Sequence, residues 1–213
     1  MNLKIAHRGL SHNYKDNSRL AFEKAIEYNF DMIEVDVQMC KDGSIVVHHD
    51  IYYKNKYIQE YEPEELQNEG MLLLPEFLEI IKYEPIKVFF DLKGHEQVIV
   101  ALLDGLKVAN IVNYGNIYIS SFNRRYLDLI GNYNLPIKKG FTTGTIFNED
   151  DFVNLTIDID FLCLHWTSLN RESITFCKQN NILVFSYTVD NNFVLEHMKK
   201  FDVDGVISNY FFE

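Results

Sequence analysis

Glu34 and Asp36 sit one residue apart inside the apolar run Ile33-Glu34-Val35-Asp36-Val37. On an extended strand both carboxylates point to one face, while Ile33, Val35 and Val37 point to the other. Two buried anions side by side repel, and loss of water also opposes their ionisation. Such a pair therefore calls for a proton or a divalent cation. Asp91, near the end of another apolar run that closes Asp91-Leu92-Lys93, supplies a third oxygen donor from a neighbouring strand. Three carboxylates with further positions open to water suit Mg²⁺ or Ca²⁺, whereas zinc prefers His or Cys. A Glu-x-Asp pair alone is more often a solvated face or a salt bridge, here with Lys93 or Arg8. The case for a metal rests on the residues around it.

His7 and His49 each end an apolar run. An isolated histidine is usually structural, but imidazole exchanges protons near neutral pH, and two of them beside an acid cluster suit general acid and general base work. His48 precedes His49, and adjacent residues in an extended segment face opposite ways, so one of the two enters the site; His49 is the one expected. Arg8 and Lys93 bring positive charge, and the planar guanidinium of Arg8 can grip two phosphate oxygens at once. The set reads as metal-assisted cleavage of a phosphodiester.

These residues meet only if the ends of several apolar runs converge. Runs rich in Ile, Val and Phe at 3–7, 31–37, 87–92, 117–122, 137–141, 161–165, 183–188 and 205–208 read as buried parallel strands. Amphipathic segments near 18–28, 75–83, 96–108, 124–133, 173–179 and 192–201 read as helices, with Pro75 placed where a first-turn proline is tolerated. A hairpin-like return at 45–48 follows Lys41-Asp42-Gly43. Eight strands with helical crossovers predict an α/β fold, a parallel (β/α)8 TIM barrel, over an open doubly wound sheet. In such a barrel the active site lies at the C-terminal ends of the strands, where the candidate residues fall. A barrel usually takes about 250 residues. A single barrel domain over 1–213 is therefore expected to be compact, with short loops.

The balance of 31 acidic against 20 basic residues gives a formal net charge of -11, and no Lys/Arg block is present to track a polyanion. Nucleic acid is excluded as a partner on that ground. Cys40, Cys163 and Cys177 are odd in number with no Cys-x-x-Cys, which points away from a disulfide framework or thiolate zinc site and toward a reducing compartment. The chain runs from Met1 directly into the first strand, leaving no room for a signal peptide. No apolar stretch reaches the roughly 18 to 20 residues that span a bilayer. A cytoplasmic protein without a transmembrane segment is expected.

His7-Arg8-Gly9, Asn17-Ser18 leading into Ala21-Phe22 and Ala25, Ile33-Glu34-Val35-Asp36-Val37, Lys41-Asp42-Gly43 and His49-Asp50 resemble the glycerophosphodiester phosphodiesterase family. The similarity continues through Leu74-Pro75-Glu76-Phe77-Leu78, Asp91-Leu92-Lys93, Ser120-Ser121-Phe122, Tyr187-Thr188-Val189 and Asp204-Gly205, nearly the whole chain. The resemblance implies a (β/α) barrel that hydrolyses glycerophosphodiesters to sn-glycerol 3-phosphate and an alcohol with a divalent metal. It also implies that His7 and His49 are catalytic, that Glu34, Asp36 and Asp91 hold the metal, and that Arg8 and Lys93 face the phosphate. This chain departs from the family pattern in four places. Asp16 stands where Glu usually precedes Asn-Thr, and Asp91 stands where the third ligand is usually Glu. About two dozen residues between Asp50 and Pro75 replace a small inserted region, and the terminal string ends Ile207-Ser208-Asn209 instead of Thr-Asp. Two rival readings remain. One is a related barrel acting on lysophospholipid or sphingomyelin, for which Tyr52, Tyr53 and Tyr57 would line an apolar mouth or merely cover the rim. The other is a catalytically silent glycerol phosphate-binding module. Head group, metal identity, water or cyclic-phosphate route, and oligomeric state are open at this stage.

Overall fold

Short runs that are apolar on both faces become parallel strands when each face finds a cover. The computed structural model describes residues 3–109, 111, 113–130, 133, 135–145 and 148–212. Along the chain these form β1 (Leu3–His7), α1 (Arg19–Glu27), β2 (Met32–Met39), β3 (Ile45–Val47), β4 (Tyr52–Tyr53), β5 (Lys56–Tyr57), α2 (Pro63–Asn68) and α3 (Leu74–Ile81). They continue through β6 (Lys87–Leu92), α4 (Val98–Val108), β7 (Ile117–Ser121), α5 (Arg124–Ile130), β8 (Lys138–Thr143) and α6 (Glu149–Leu155). The last elements are β9 (Phe161–His165), α7 (Arg171–Gln179), β10 (Leu183–Val189), α8 (Asn192–Met198) and β11 (Gly205–Ser208). Strands β1, β2, β6, β7, β8, β9, β10 and β11 pair in parallel in that order, and β11 pairs back onto β1, closing a TIM barrel. β3 lies antiparallel on the end of β2, as the expected return at 45–48.

The two-residue alternation of each strand divides its side chains between two cores. Ile5, Met32, Phe89, Tyr118, Phe161, Cys163, Phe185 and Ile207 point inward and form one apolar cluster. Ala6, Ile33, Val35, Val88, Phe90 and Ile119 point outward and pack with helix residues such as Phe22, Phe77, Leu102 and Leu127. Inside, the Phe161 and Phe185 rings lie 5.1 Å apart and Phe89 lies 5.2 Å from Phe161. Glycine makes room for them: a Cβ on Gly140 would lie 2.3 Å from the Phe161 ring, and one on Gly205 would lie 2.8 Å from Phe185. An aromatic plug thus fills the barrel below the polar residues at its C-terminal mouth.

The expected helices are present with shifted ends. Ser18 is the cap of α1 and accepts from the Ala21 amide at 3.3 Å, and Asn170 and Asn191 cap α7 and α8 in the same way. Two helices were not expected: α2, and α6, which Asn148 caps. Residues 51–74, expected as a shortened loop, contain the β4–β5 ribbon and α2. Ile58, Leu66 and Met71 from this segment join Cys40 and Val46 in a small core of their own. Among the described residues no helix is long and apolar enough to cross a membrane. Cys40, Cys163 and Cys177 are buried free thiols.

Candidate active site

Strand register brings the acids together. Glu34 and Asp36 share the inward face of β2, and Asp91 on β6 is the direct neighbour of Asp36 across the pair. Glu34 stands opposite His7 in the β1–β2 pair. One oxygen from each of Glu34, Asp36 and Asp91 lies within 4.8 Å of the others. The three residues are 4%, 1% and 7% exposed, which rules out a solvated acidic face.

Counter-charge is present but incomplete. Lys93 Nζ lies 2.6 Å from Asp91 Oδ2 and 3.3 Å from Asp36 Oδ1, and Arg8 Nε lies 3.1 Å from Asp36 Oδ2. Two cations thus face three carboxylates. Burial, then the charges of Asp36 and Asp91, push the Glu34 carboxyl well above its ordinary range. Burial, opposed by Lys93 and reinforced by Asp36, pushes Asp91 up to about 6. Burial also works against ionised Asp36, yet Lys93 and Arg8 prevail and hold it below its usual range. The same carboxylates keep Lys93 charged against its own burial. Asp91 Oδ1 is buried with no hydrogen-bond partner. Such a group is short of positive charge and has an oxygen to spare, so it can hold a hard divalent cation.

His7 ends β1, and its Nδ1 lies 2.5 Å from Asn209 Oδ1. Burial, then the Arg8 charge, lower its pKa to about 4 against the opposing Asn209 hydrogen bond, so the ring is neutral near pH 7. His49 follows β3, and its Nδ1 lies 2.8 Å from Asp50 Oδ1. His48 points elsewhere, its ring edge-on to Tyr53 at 6.0 Å, and only His49 of the two lines the cavity. Buried Gln38, next on the face of β2 that carries Glu34 and Asp36, donates to the carbonyls of His48 and Asp50 at 2.9 and 2.5 Å. These two bonds bracket His49.

The turn after β1 explains the sequence His7-Arg8-Gly9. Arg8 adopts φ 59°, and its amide donates to Glu34 Oε2 at 2.9 Å and to the Glu34 carbonyl at 3.1 Å. A left-handed non-glycine residue is strained, and such strain collects at functional sites. Gly9 follows at φ 79°, where a Cβ would lie 2.6 Å from the Ala21 backbone, so only glycine lets this turn rest on α1. Asn17, also left-handed and buried, donates from Nδ2 to Asp36 Oδ2 at 2.9 Å. Asp16, one of the departures from the family pattern, pairs with Arg8 Nη1 at 3.3 Å.

A cavity at this mouth is lined by His7, Arg8, Glu34, Asp36, His49, Asp91 and Lys93 together. Phe122, Thr142, Cys163 and Tyr187 complete much of its wall. Tyr52, Tyr53 and Tyr57 are not in that wall; the Tyr53 hydroxyl donates to Glu69, and Tyr52 and Tyr57 are exposed. Gln38, Asn17 and Asn209 carried no predicted role. Gln38 was detectable as the next inward position after Glu34 and Asp36. The partnership of Asn209 with His7 appears only once β11 is known to close on β1.

Residues 7–211 match the glycerophosphoryl diester phosphodiesterase family. The glycerophosphodiester phosphodiesterase of Caldanaerobacter subterraneus subsp. tengcongensis is 28% identical, covering 97% of this chain and 93% of its own length. That of Bacillus subtilis is 24% identical, covering 98% and 83%. An Oleispira antarctica phosphodiesterase, solved in complex with the product sn-glycerol-3-phosphate, superposes with a TM-score of 0.86 at 21% identity, over 99% of this chain and 94% of that one. A glycerophosphodiester phosphodiesterase from Thermotoga maritima gives 0.80 at 23% identity, over 98% and 95%. At these identities the solved structures speak for the fold, and the family match over nearly the entire chain speaks for membership. The chain belongs to the glycerophosphoryl diester phosphodiesterase family, phosphoric diester hydrolases that act on glycerophosphodiesters.

Proposed function

We propose that the chain cleaves glycerophosphodiesters to sn-glycerol 3-phosphate and an alcohol, with Mg²⁺ or Ca²⁺ held by Glu34, Asp36 and Asp91 and with His7 and His49 as the acid–base pair. The observation that carries this reading is the convergence of three buried carboxylates, two imidazoles, Arg8 and Lys93 on one cavity. The product held by the Oleispira antarctica structure, a protein of the same fold, is consistent with it.

A bound divalent cation supplies Lewis-acid polarisation of the phosphoryl group and offsets the negative charge of the site. Arg8 and Lys93 share the charge that builds on the non-bridging oxygens as the phosphorus becomes five-coordinate. One imidazole takes the proton of the nucleophile, either water, which gives sn-glycerol 3-phosphate directly, or the substrate's 2-hydroxyl, which gives a cyclic phosphate that water then opens to the same product. The other protonates the departing alcohol oxygen, so the P–O bond breaks without releasing a free alkoxide. Gln38 and Asn17 hold His49 and Asp36 in place while this happens.

A panel of glycerophosphocholine, glycerophosphoethanolamine, lysophosphatidylcholine and sphingomyelin, assayed with Mg²⁺ or Ca²⁺ and with product identification, tests the proposal. The expected outcome is sn-glycerol 3-phosphate and free alcohol from the glycerophosphodiesters. Release of glycerol with a phosphorylated alcohol, or turnover confined to the two lipids, would overturn it. Binding of glycerol phosphate without any turnover would favour the silent module.

A further inference from the structure

We propose that Asn209 is a positioning residue that holds His7 as the tautomer protonated on Nδ1, leaving Nε2 as the proton-accepting atom. The inference rests on the role given to His7 in the proposed function and adds a residue to it. His7 and Asn209 are 202 positions apart and meet where β11 closes the barrel on β1. The contact is short, 2.5 Å from Nδ1 to the amide oxygen Oδ1. An amide oxygen has no hydrogen to give, so the ring nitrogen facing it carries the proton. In a neutral imidazole the lone pair then sits on Nε2, at the other edge of the ring.

The amide is itself oriented. Ser11 Oγ donates to the same Oδ1 at 3.1 Å, so two donors converge on that oxygen. The backbone around Asn209 is also held. Its amide donates to the Val189 carbonyl at 3.0 Å, and its carbonyl accepts from the His12 amide at 2.8 Å. The backbone at Asn209 is therefore fixed from β10 on one side and from the segment after β1 on the other.

An amide suits this position chemically. His7 lies beside Arg8, and a cationic ring there would be repelled. A carboxylate partner would also accept from Nδ1 but would add another negative charge near the acid cluster, whereas an amide fixes the ring and its tautomer without adding charge. The amide side chain just past β11 thus sets which nitrogen of His7 is available.

The test uses the full chain carrying Asn209→Leu, Asn209→Asp or Ser11→Ala. Long-range proton–nitrogen correlation spectra read the His7 tautomer without requiring turnover, and kcat and KM for glycerophosphocholine are measured in parallel. The wild type is expected to show the Nδ1-protonated form. Asn209→Leu should lose that preference and lower kcat about tenfold or more with little change in KM. Asn209→Asp, whose carboxylate also accepts from Nδ1, should restore the tautomer and most of kcat, and Ser11→Ala should fall between. Wild-type His7 protonated on Nε2, or an unchanged tautomer in a folded Asn209→Leu, would overturn the proposal. Should Asn209→Leu fail to fold, the wild-type and Ser11→Ala spectra still decide it. A wild type inactive on every glycerophosphodiester but with the expected tautomer would instead sink the proposed function alone.

Discussion

At the scale of single residues, the carboxyl of Asp91 stays protonated up to about pH 6, because burial outweighs the attraction of Lys93. A group raised in the folded state contributes stability that is complete below its unfolded value and is lost as pH rises through its folded value. For Asp91 that window runs from the ordinary 3.8 to about 6. His7 acts in the opposite sense, since its pKa is lowered to about 4 and its contribution is lost as pH falls from 6.5 toward that value. A cation must displace the Asp91 proton, so the rise in melting temperature produced by saturating Mg²⁺ or Ca²⁺ should be large above about pH 7 and should shrink below about pH 6. Calorimetry across this range checks it; an upshift that grows with acidity would contradict it. His7→Ala and His49→Ala should each lower kcat by about 10² or more with an unchanged circular dichroism spectrum. Near-normal turnover in both would remove them from the chemistry. The charged and imidazole groups were legible in the sequence because their chemistry resides in the residue type. Asn209, Asn17 and Gln38 were not, because an amide becomes informative only when its partners are known.

At the scale of elements, β2 extends two residues past its expected end at 37, and this places Gln38 on the inward face under the His48-His49-Asp50 segment. Gln38→Leu removes both donors to that segment and should lower kcat about tenfold or more while sparing the melting temperature, since a small displacement of a catalytic group is costly. Equal kcat in the variant would show that His49 needs no such brace. The aromatic plug gives a stability test. Gly140→Ala places a methyl group against the Phe161 ring, and should cost about 1–3 kcal/mol by urea denaturation, with Phe161→Leu in the same chain recovering part of it. α1 was legible from Ser18 and its buried Ala21, Phe22 and Ala25, whereas α6 was missed because a seven-residue segment opening Glu149-Asp150-Asp151 carries little apolar periodicity.

At the scale of the whole molecule, the eight-strand barrel was legible because most of its strands are short apolar runs, several of them with polar residues at or just past their ends. Its closure, and hence which ends meet, is a property of pairing that no single run displays. The segment 51–74 was expected to be a short open loop; its ribbon, α2 and small core followed from Ile58, Leu66 and Met71, whose spacing is too sparse to announce an element. Tyr52, Tyr53 and Tyr57 lie outside the cavity wall, so the side chains that could have formed an apolar mouth for an acyl chain do not line the site. Glycerophosphocholine should therefore be turned over much faster than lysophosphatidylcholine at equal concentration, and the reverse order would place the lipid contact elsewhere. The most direct test of the account is the initial rate of sn-glycerol 3-phosphate release by EDTA-stripped protein as Mg²⁺ or Ca²⁺ is added back. The account predicts no rate in the stripped protein, saturable recovery with added cation, and loss of that recovery in Glu34→Gln, Asp36→Asn and Asp91→Asn. A full rate in the stripped protein, or undiminished recovery in all three variants, would contradict it.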